Sequence, residues 1–314
     1  MINLKRFFSN WQNVLALLLI GFFVFVAIAA PYLAPPDDPD NPALFRRMPG
    51  VRVSALRNPR PPNPAAPLGT VSGGWDILYS LIWGTRSSLR FGLVTALSTA
   101  CFGILVGAIS GYLGGSFNRM VLRVTDAFLT FPAIAGIFLF RLILAPGDAQ
   151  TAPNALQSLA ATLQLDPVML ALILFSWMPY ARMINSNIIK LKQTEYAMAA
   201  MTVGLKPLRI ILRHLLPNAV APAIVLAARD IGGMVILEAA FTFIGIGAGL
   251  PWGILIVAGR DWVIGPGGNP LAYSWVYLPT TLTLVLFSIG WNLLGDGLNN
   301  ALTPWAREMN HRFD

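Results

Sequence analysis

Two histidines, one cysteine and scattered carboxylates are what this chain offers toward covalent or metal chemistry. His214 and His311 have no ligand spacing to other donors, and Cys101 falls in an apolar run where a small packing residue is expected. There is no Gly-x-x-x-x-Gly-Lys phosphate loop, no nucleophile–base pair and no metal constellation. Catalysis is therefore not expected of this chain, nor is a bound cofactor or metal. What it does carry is charge where charge is costly. Arg229, Asp230 and Glu238 lie in one apolar run with Gly232 and Gly233 between them. An ionisable group inside hydrocarbon costs about 2.5–3.5 kcal/mol, so each needs a partner or a wet cavity. Asp230 and Glu238 are eight positions apart, about 800° along a helix, and their faces differ by roughly 80°. They can line a polar passage or pair with an arginine of a partner subunit. Asp126, Arg182 and Asp296 sit near the ends of apolar runs and read as residues that snorkel to the interface.

A second feature is the cationic segment 195–218, set between two membrane-length runs. Thr194 can cap a helix with its hydroxyl, and Glu195 places a negative charge at the positive end of the helix dipole. Gly204 can take the left-handed conformation that ends a helix, and Pro207 suits the first position of the next. Two short helices with an elbow at 204–207 are predicted. The first, about nine residues, rises roughly 14 Å and is too short to span a bilayer. The second, over 208–216, puts Arg209 and Arg213 on one face and Ile211, Leu212 and Leu215 on another, before a break at Leu216–Pro217. Such internal order suits docking to a partner; an amphipathic interfacial loop is the plainer alternative.

The elements that would hold these residues are apolar spans. Hydrophobic residues make up 55% of the 314 and charged residues 11%, well under the ~25% of soluble domains. The net charge of +8 is scattered between apolar runs, which fits membrane orientation and not nucleic acid. Six spans are predicted, over 14–34, 89–112, 125–144, 168–184, 219–244 and 278–294, with membrane lipid as their surroundings. The first is read as an uncleaved span, although Ala27-Ile28-Ala29 has the form of a signal-peptide cleavage site. Gly103, Gly107 and Gly111 give the second a narrow face for close packing. A proline-rich stretch, 35–67, reads as an extended, solvated external loop, followed by an amphipathic lead-in to residue 88. Lys and Arg favour the segments that would be inner, including Lys5, Arg6, Lys190, Lys192 and Arg312, so both termini and segment 190–218 are expected in the cytoplasm. The expected organisation is 1–34 tail and first span, 35–88 outer loop and lead-in, 89–298 five-span core, and 299–314 cytoplasmic tail. An Ala/Leu-rich patch at 155–165, within an outer loop, is expected to form a short interfacial helix.

Several motifs in one order carry a resemblance. Glu195-Tyr196-x-x-Ala199-Ala200-x-x-x-Gly204-Leu205, then Ile210-Ile211-x-Arg213-His214-x-Leu216-Pro217-Asn218, resembles the coupling loop of binding-protein-dependent ABC importer permeases. The chain is closest in look to the C-type permeases of dipeptide, oligopeptide and nickel importers. Glu238-Ala239-Ala240-Phe241 with Pro251-Trp252-Gly253 and Gly295-Asp296-Gly297 continue the likeness, which covers about 67–304. The sequence departs from the family at Met198, where a glutamate is usual, and at Ala66, Val71 and Trp75 of the lead-in motif, which keeps only Asp76 of its charged residues. The resemblance implies an all-helical type I permease core in the cytoplasmic (inner) membrane. It implies that Glu195, Tyr196, Ala199, Ala200, Gly204, Leu205, Arg209, Arg213, Leu216 and Pro217 meet an ATPase, and it adds Phe241 to Asp230 and Glu238 as candidates for the translocation pathway. Expected partners are a homologous B-type permease, two ATP-binding subunits that hold ATP and Mg, and an extracytoplasmic solute-binding protein. The rival reading is a stand-alone secondary transporter or channel, with 229–233 as its ion site.

Overall fold

The computed structural model describes residues 7–8, 10–38, 42–48, 58–144, 158, 162, 166–264 and 269–302. The 155–165 patch, apart from Ser158 and Thr162, lies outside the described residues, as do Lys5, Arg6, His311 and Arg312. In chain order the helices are α1 (Trp11–Leu33), α2 (Ile77–Leu113), α3 (Gly115–Thr130), α4 (Ala133–Leu144), α5 (Pro167–Ser176), α6 (Met178–Lys192) and α7 (Glu195–Thr202). Then come α8 (Pro207–Ile210), a π turn (Ile211–Leu215), α9 (Leu216–Ala219), α10 (Ala221–Phe243), α11 (Pro251–Arg260), a 3-10 turn (Pro270–Tyr273) and α12 (Ser274–Leu302). Among the described residues, four helices are long and apolar enough to cross a membrane: Trp11–Leu33, Ile77–Leu113, Pro167–Lys192 and Leu271–Leu302. Two bent pairs, Gly115–Thr130 with Ile134–Phe140 and Pro207–Ala219 with Ala221–Phe243, bring the number to six if each pair is one span.

Three expected elements differ. The lead-in and second span are a single helix: Asp76 Oδ1 accepts the N–H of Tyr79 at 3.2 Å, capping α2 twelve residues before the expected start. The third span is broken, its two parts meeting at 94°. Phe131 precedes Pro132, whose ring disfavours helical backbone before it, and Phe131 is extended at φ −75°, ψ 134°. The proline-rich stretch is not simply solvated. Arg46 pairs with Asp76 at 3.6 Å and lies 4.6 Å from the Tyr79 ring, while Arg47 stacks 4.5 Å from Trp75.

The chain divides into two units, one formed by 1–13, 94–230 and 293–314, the other by 14–93 and 231–292. In the first, α2 lies close along α6. A Cβ on Gly103 would sit 2.5 Å from the Trp177 carbonyl oxygen, and one on Gly111 2.9 Å from that of Asn185, so the glycine face packs backbone to backbone as expected. Its core joins Tyr180, Ile184 and Ile188 of α6 to Ala197, Ala200, Ile210 and Leu215, and to Ala223 and Ala227 of α10. In the second unit Trp252 is wholly buried, donating its Nε1–H to the Leu81 carbonyl at 3.1 Å with its ring edge-on to Phe23 and Phe287. An aromatic of that size satisfies its N–H while supplying most of the local apolar burial.

Candidate functional site

The short helix α7 forms where it was expected, but Thr194 does not cap it through its hydroxyl. That hydroxyl donates backward to the Leu191 carbonyl at 2.6 Å, closing α6, and α7 begins with Thr194 contributing only its own carbonyl, bonded by Met198 N–H at 3.0 Å. At the far end Gly204 takes φ +77°, and two bonds close the helix: Gly204 N–H to Met201 O at 3.0 Å and Leu205 N–H to Ala200 O at 3.3 Å. This is the Schellman arrangement, available because glycine adopts positive φ without strain. Pro207 then opens α8 with Lys206 extended before it, as read from the sequence.

The second arm is less regular than expected. Pro217 has no N–H to give the Arg213 carbonyl, and its ring would crowd that carbonyl in an α-helix. The backbone answers with a π turn over Ile211–Leu215, in which Leu216 N–H reaches five residues back to Ile211 O. The direction therefore changes not at Leu216–Pro217 but at Val220, ahead of Pro222, where Pro207–Ala219 meets Ala221–Phe243 at 64°. The widened turn also alters the faces. Ile210, Ile211 and Leu215 are buried, whereas Leu212, expected among them, is 50% exposed.

The outcome is a two-arm segment with a sealed floor and an open rim. Ala197 and Ala200 are buried against Tyr180, Ile184 and Ile188, and only small side chains let α7 lie that close. The rim carries Glu195, Tyr196, Met198, Ala199, Val203 at 80% exposure, Leu208 at 66%, and the exposed cations Lys206, Arg209 and Arg213. Leu205 and Leu216 are half-buried, Gly204 and Pro217 exposed. Of the residues named for this segment, Ala200 is thus floor, and most of the others share the rim.

The intramembrane charges are engaged. Tyr180 donates its hydroxyl to Asp230 Oδ2 at 2.6 Å. Arg229 pairs with Asp296, and Arg182 with Asp126 at 3.0 Å, so ion pairing between helices replaces the expected snorkelling. Glu238, 1% exposed, accepts the Thr242 hydroxyl at 2.6 Å and the Leu250 N–H at 3.2 Å, holding the start of α11. Phe241 is buried. Asp230 belongs to the first unit, Glu238 and Phe241 to the second. Sequence reasoning missed Tyr180, Asn185, which donates to Ser110 Oγ at 2.8 Å and Asn118 Oδ1 at 2.6 Å, and Asn187, which donates to the Ala219 carbonyl at 3.2 Å. The available signal was the run of polar residues along α6, where Tyr180, Asn185 and Asn187 stand among Arg182, Ser186, Lys190 and Lys192. Among the described residues, no group of His, Cys, Asp and Glu is placed to hold a metal ion.

This segment, helical and cationic with an exposed apolar rim, lies between two membrane-length stretches of helix, Pro167–Lys192 and Ala221–Phe243. Residues 103–308 match the family described as binding-protein-dependent transport system inner membrane component, and residues 2–49 match the N-terminal transmembrane domain of oligopeptide transport permease C. The chain belongs to that family and is a C-type permease of ABC importers, a multi-pass protein of the inner membrane. It is 29% identical over 303 residues to the dipeptide transport system permease protein DppC of Alkalihalophilus pseudofirmus, covering 96% of this chain and 88% of that one. It is 30% identical over 304 residues to the glutathione transport system permease protein GsiD of Pectobacterium atrosepticum, covering 96% and 89%. To the nickel transport system permease protein NikC of Escherichia coli K12 it is 29% identical over 299 residues, covering 94% and 95%.

Proposed function

We propose that this chain forms half of the passage of an ATP-driven importer for peptide-class solutes and receives the ATPase stroke through 195–217. The observation that carries the coupling role is the exposed rim of α7 and α8 over a floor of buried alanines. An apolar surface of that kind beside Arg209 and Arg213 fits a groove with apolar walls and acidic edges on a cytoplasmic partner. In this reading a homologous B-type permease completes the passage, two ATP-binding subunits hold ATP and Mg, and an extracytoplasmic binding protein delivers the solute. Both termini and segment 190–218 face the cytoplasm. The core of this reading begins at Ile77, where the lead-in joins the second span, and runs to 298, with the loop before it on the outer side and the tails on the inner side. Asp230 and Glu238 serve the passage as braces, each carboxyl having a donor, and Phe241, buried three residues beyond Glu238, joins the second brace in that role.

Peptide is favoured because dipeptide, oligopeptide and glutathione permeases stand among the relatives; nickel, the cargo named for another, is the second reading. The test is uptake into proteoliposomes holding the four-subunit assembly and its binding protein. ATP-dependent accumulation of labelled di- or tripeptide, with no accumulation of nickel, is the expected result. Nickel uptake alone would replace the solute, and solute uptake driven by an ion gradient without ATP would overturn the importer.

A further inference from the structure

The polypeptide reaches segment 193–220 along α6 and leaves it along α10, and these two legs are fastened together at separated levels. Tyr180, which has no exposed surface, bonds to Asp230 at 2.6 Å. Seven residues further along α6, about 10 Å, the Asn187 side-chain amide bonds to the Ala219 carbonyl at 3.2 Å. Between these levels Ile184 shares one buried cluster with Ala223 and Ala227, and Ile188 and Ala219 extend that cluster at the second level. One bond alone would act as a pivot. Two, set apart along the helix with close-packed apolar groups between them, oppose rotation as well as separation, because packed interiors shift between discrete arrangements and do not deform smoothly.

We propose that the Tyr180–Asp230 and Asn187–Ala219 contacts form a latch that makes 193–220 and both its legs one rigid stirrup, with Tyr180 and Asn187 as positioning residues for the transfer of the ATPase stroke to the spans. The proposal deepens the coupling role given above and rests on it. It assigns Asp230 a definite duty: its side-chain oxygen is needed as an acceptor, and its charge is not. The Ala219 carbonyl matters for a similar reason. Its α-helical partner would be the N–H of Ala223, four residues on, beyond the 64° bend at Val220. The Asn187 amide therefore serves the backbone at the bend itself.

Two measurements on the reconstituted four-subunit assembly test this. The first is solute transported per ATP hydrolysed. Tyr180→Phe and Asp230→Ala each remove one partner and are expected to lower the ratio by about tenfold, in keeping with the loss of a buried hydrogen bond; Asn187→Ala should act in the same direction. Asp230→Asn keeps an acceptor oxygen for the Tyr180 hydroxyl and is expected to stay within about twofold of wild type. A passage-lining charge would give the opposite result, Asp230→Asn being as damaging as Asp230→Ala, and that overturns the latch. The second measurement is the distance between spin labels at Ile189→Cys on α6 and Ile224→Cys on α10, both exposed, in a Cys101→Ser background. The latch requires one narrow distance, unchanged between ATP and ADP, that broadens in Tyr180→Phe. A nucleotide-dependent distance in the unmutated latch overturns it while leaving a Glu195→Arg variant defective in stimulated hydrolysis. Wild-type stimulation in Glu195→Arg would instead overturn the coupling role and the latch's part in it, without moving the label distance.

Discussion

Segment 195–218 and the chain reversal 243–252 are built from the same local parts and finish as opposites. Each begins with a helix closed by a Schellman pair about a glycine with positive φ, +77° at Gly204 and +85° at Gly245. In the second, Gly245 N–H bonds to Thr242 O at 3.0 Å and Ile246 N–H to Phe241 O at 2.8 Å, matching the bonds of Gly204 and Leu205. Each resumes with proline at the first helical position, Pro207 or Pro251. The difference lies in what the side chains do next. After Gly245 a buried glutamate takes the Leu250 N–H, Thr242 holds Gly249 N–H at 3.3 Å, and Trp252 is sealed inside. Around Gly204 the positions that correspond to Leu250 and Trp252 are Lys206 and Leu208, both exposed. The same backbone turn is thus a closed joint in one place and an offered surface in the other.

That contrast can be broken from either side. Ile246→Asp puts a carboxylate where the side chain is 8% exposed and should cost about 4 kcal/mol, read as a drop of the unfolding midpoint in detergent. Glu238→Ala strips the acceptor from the Thr242 hydroxyl and the Leu250 N–H and should cost about 3 kcal/mol; Glu238→Gln, which keeps one oxygen, should cost about 1 kcal/mol. Gly204→Val and Gly245→Val impose positive φ on a β-branched residue where no neighbouring atom stands within 4 Å, so each should cost about 1–2 kcal/mol from backbone strain alone. Equal stability losses with unequal loss of ATPase stimulation, larger for Gly204→Val, would sharpen the comparison. Val203→Asp should leave stability within about 0.5 kcal/mol, since the side chain is 80% exposed, yet abolish co-purification of the ATP-binding subunits.

Much of this was legible in the residues, for identifiable reasons. Membrane spans announce themselves by length of apolar run, and Gly204-x-x-Pro207 by the φ values its residues prefer. The glycine ladder of α2 was readable because small residues four apart share a helix face. Thr194 was misread because a threonine hydroxyl can accept from an N–H ahead or donate to a carbonyl behind, and local sequence does not choose. The break at Pro132 lay inside a run apolar enough to pass for one span. The π turn arises from Pro217 acting on a carbonyl four residues earlier, which moves Leu212 out of the buried face it would hold in a regular helix. Tyr180 and Asp230 are fifty positions apart, and their meeting depends on how α6 and α10 pack, which neither stretch encodes alone.

The most direct test of the coupling role is ATP hydrolysis by the purified four-subunit assembly, with and without its binding protein, comparing wild type with Glu195→Arg and Val203→Asp against Gly233→Ala as a control outside the segment. The rim account predicts that the control is stimulated as wild type is, and that Glu195→Arg and Val203→Asp lose stimulated turnover or lose the ATP-binding subunits altogether. Full stimulation in both rim variants, with the assembly intact, would contradict it.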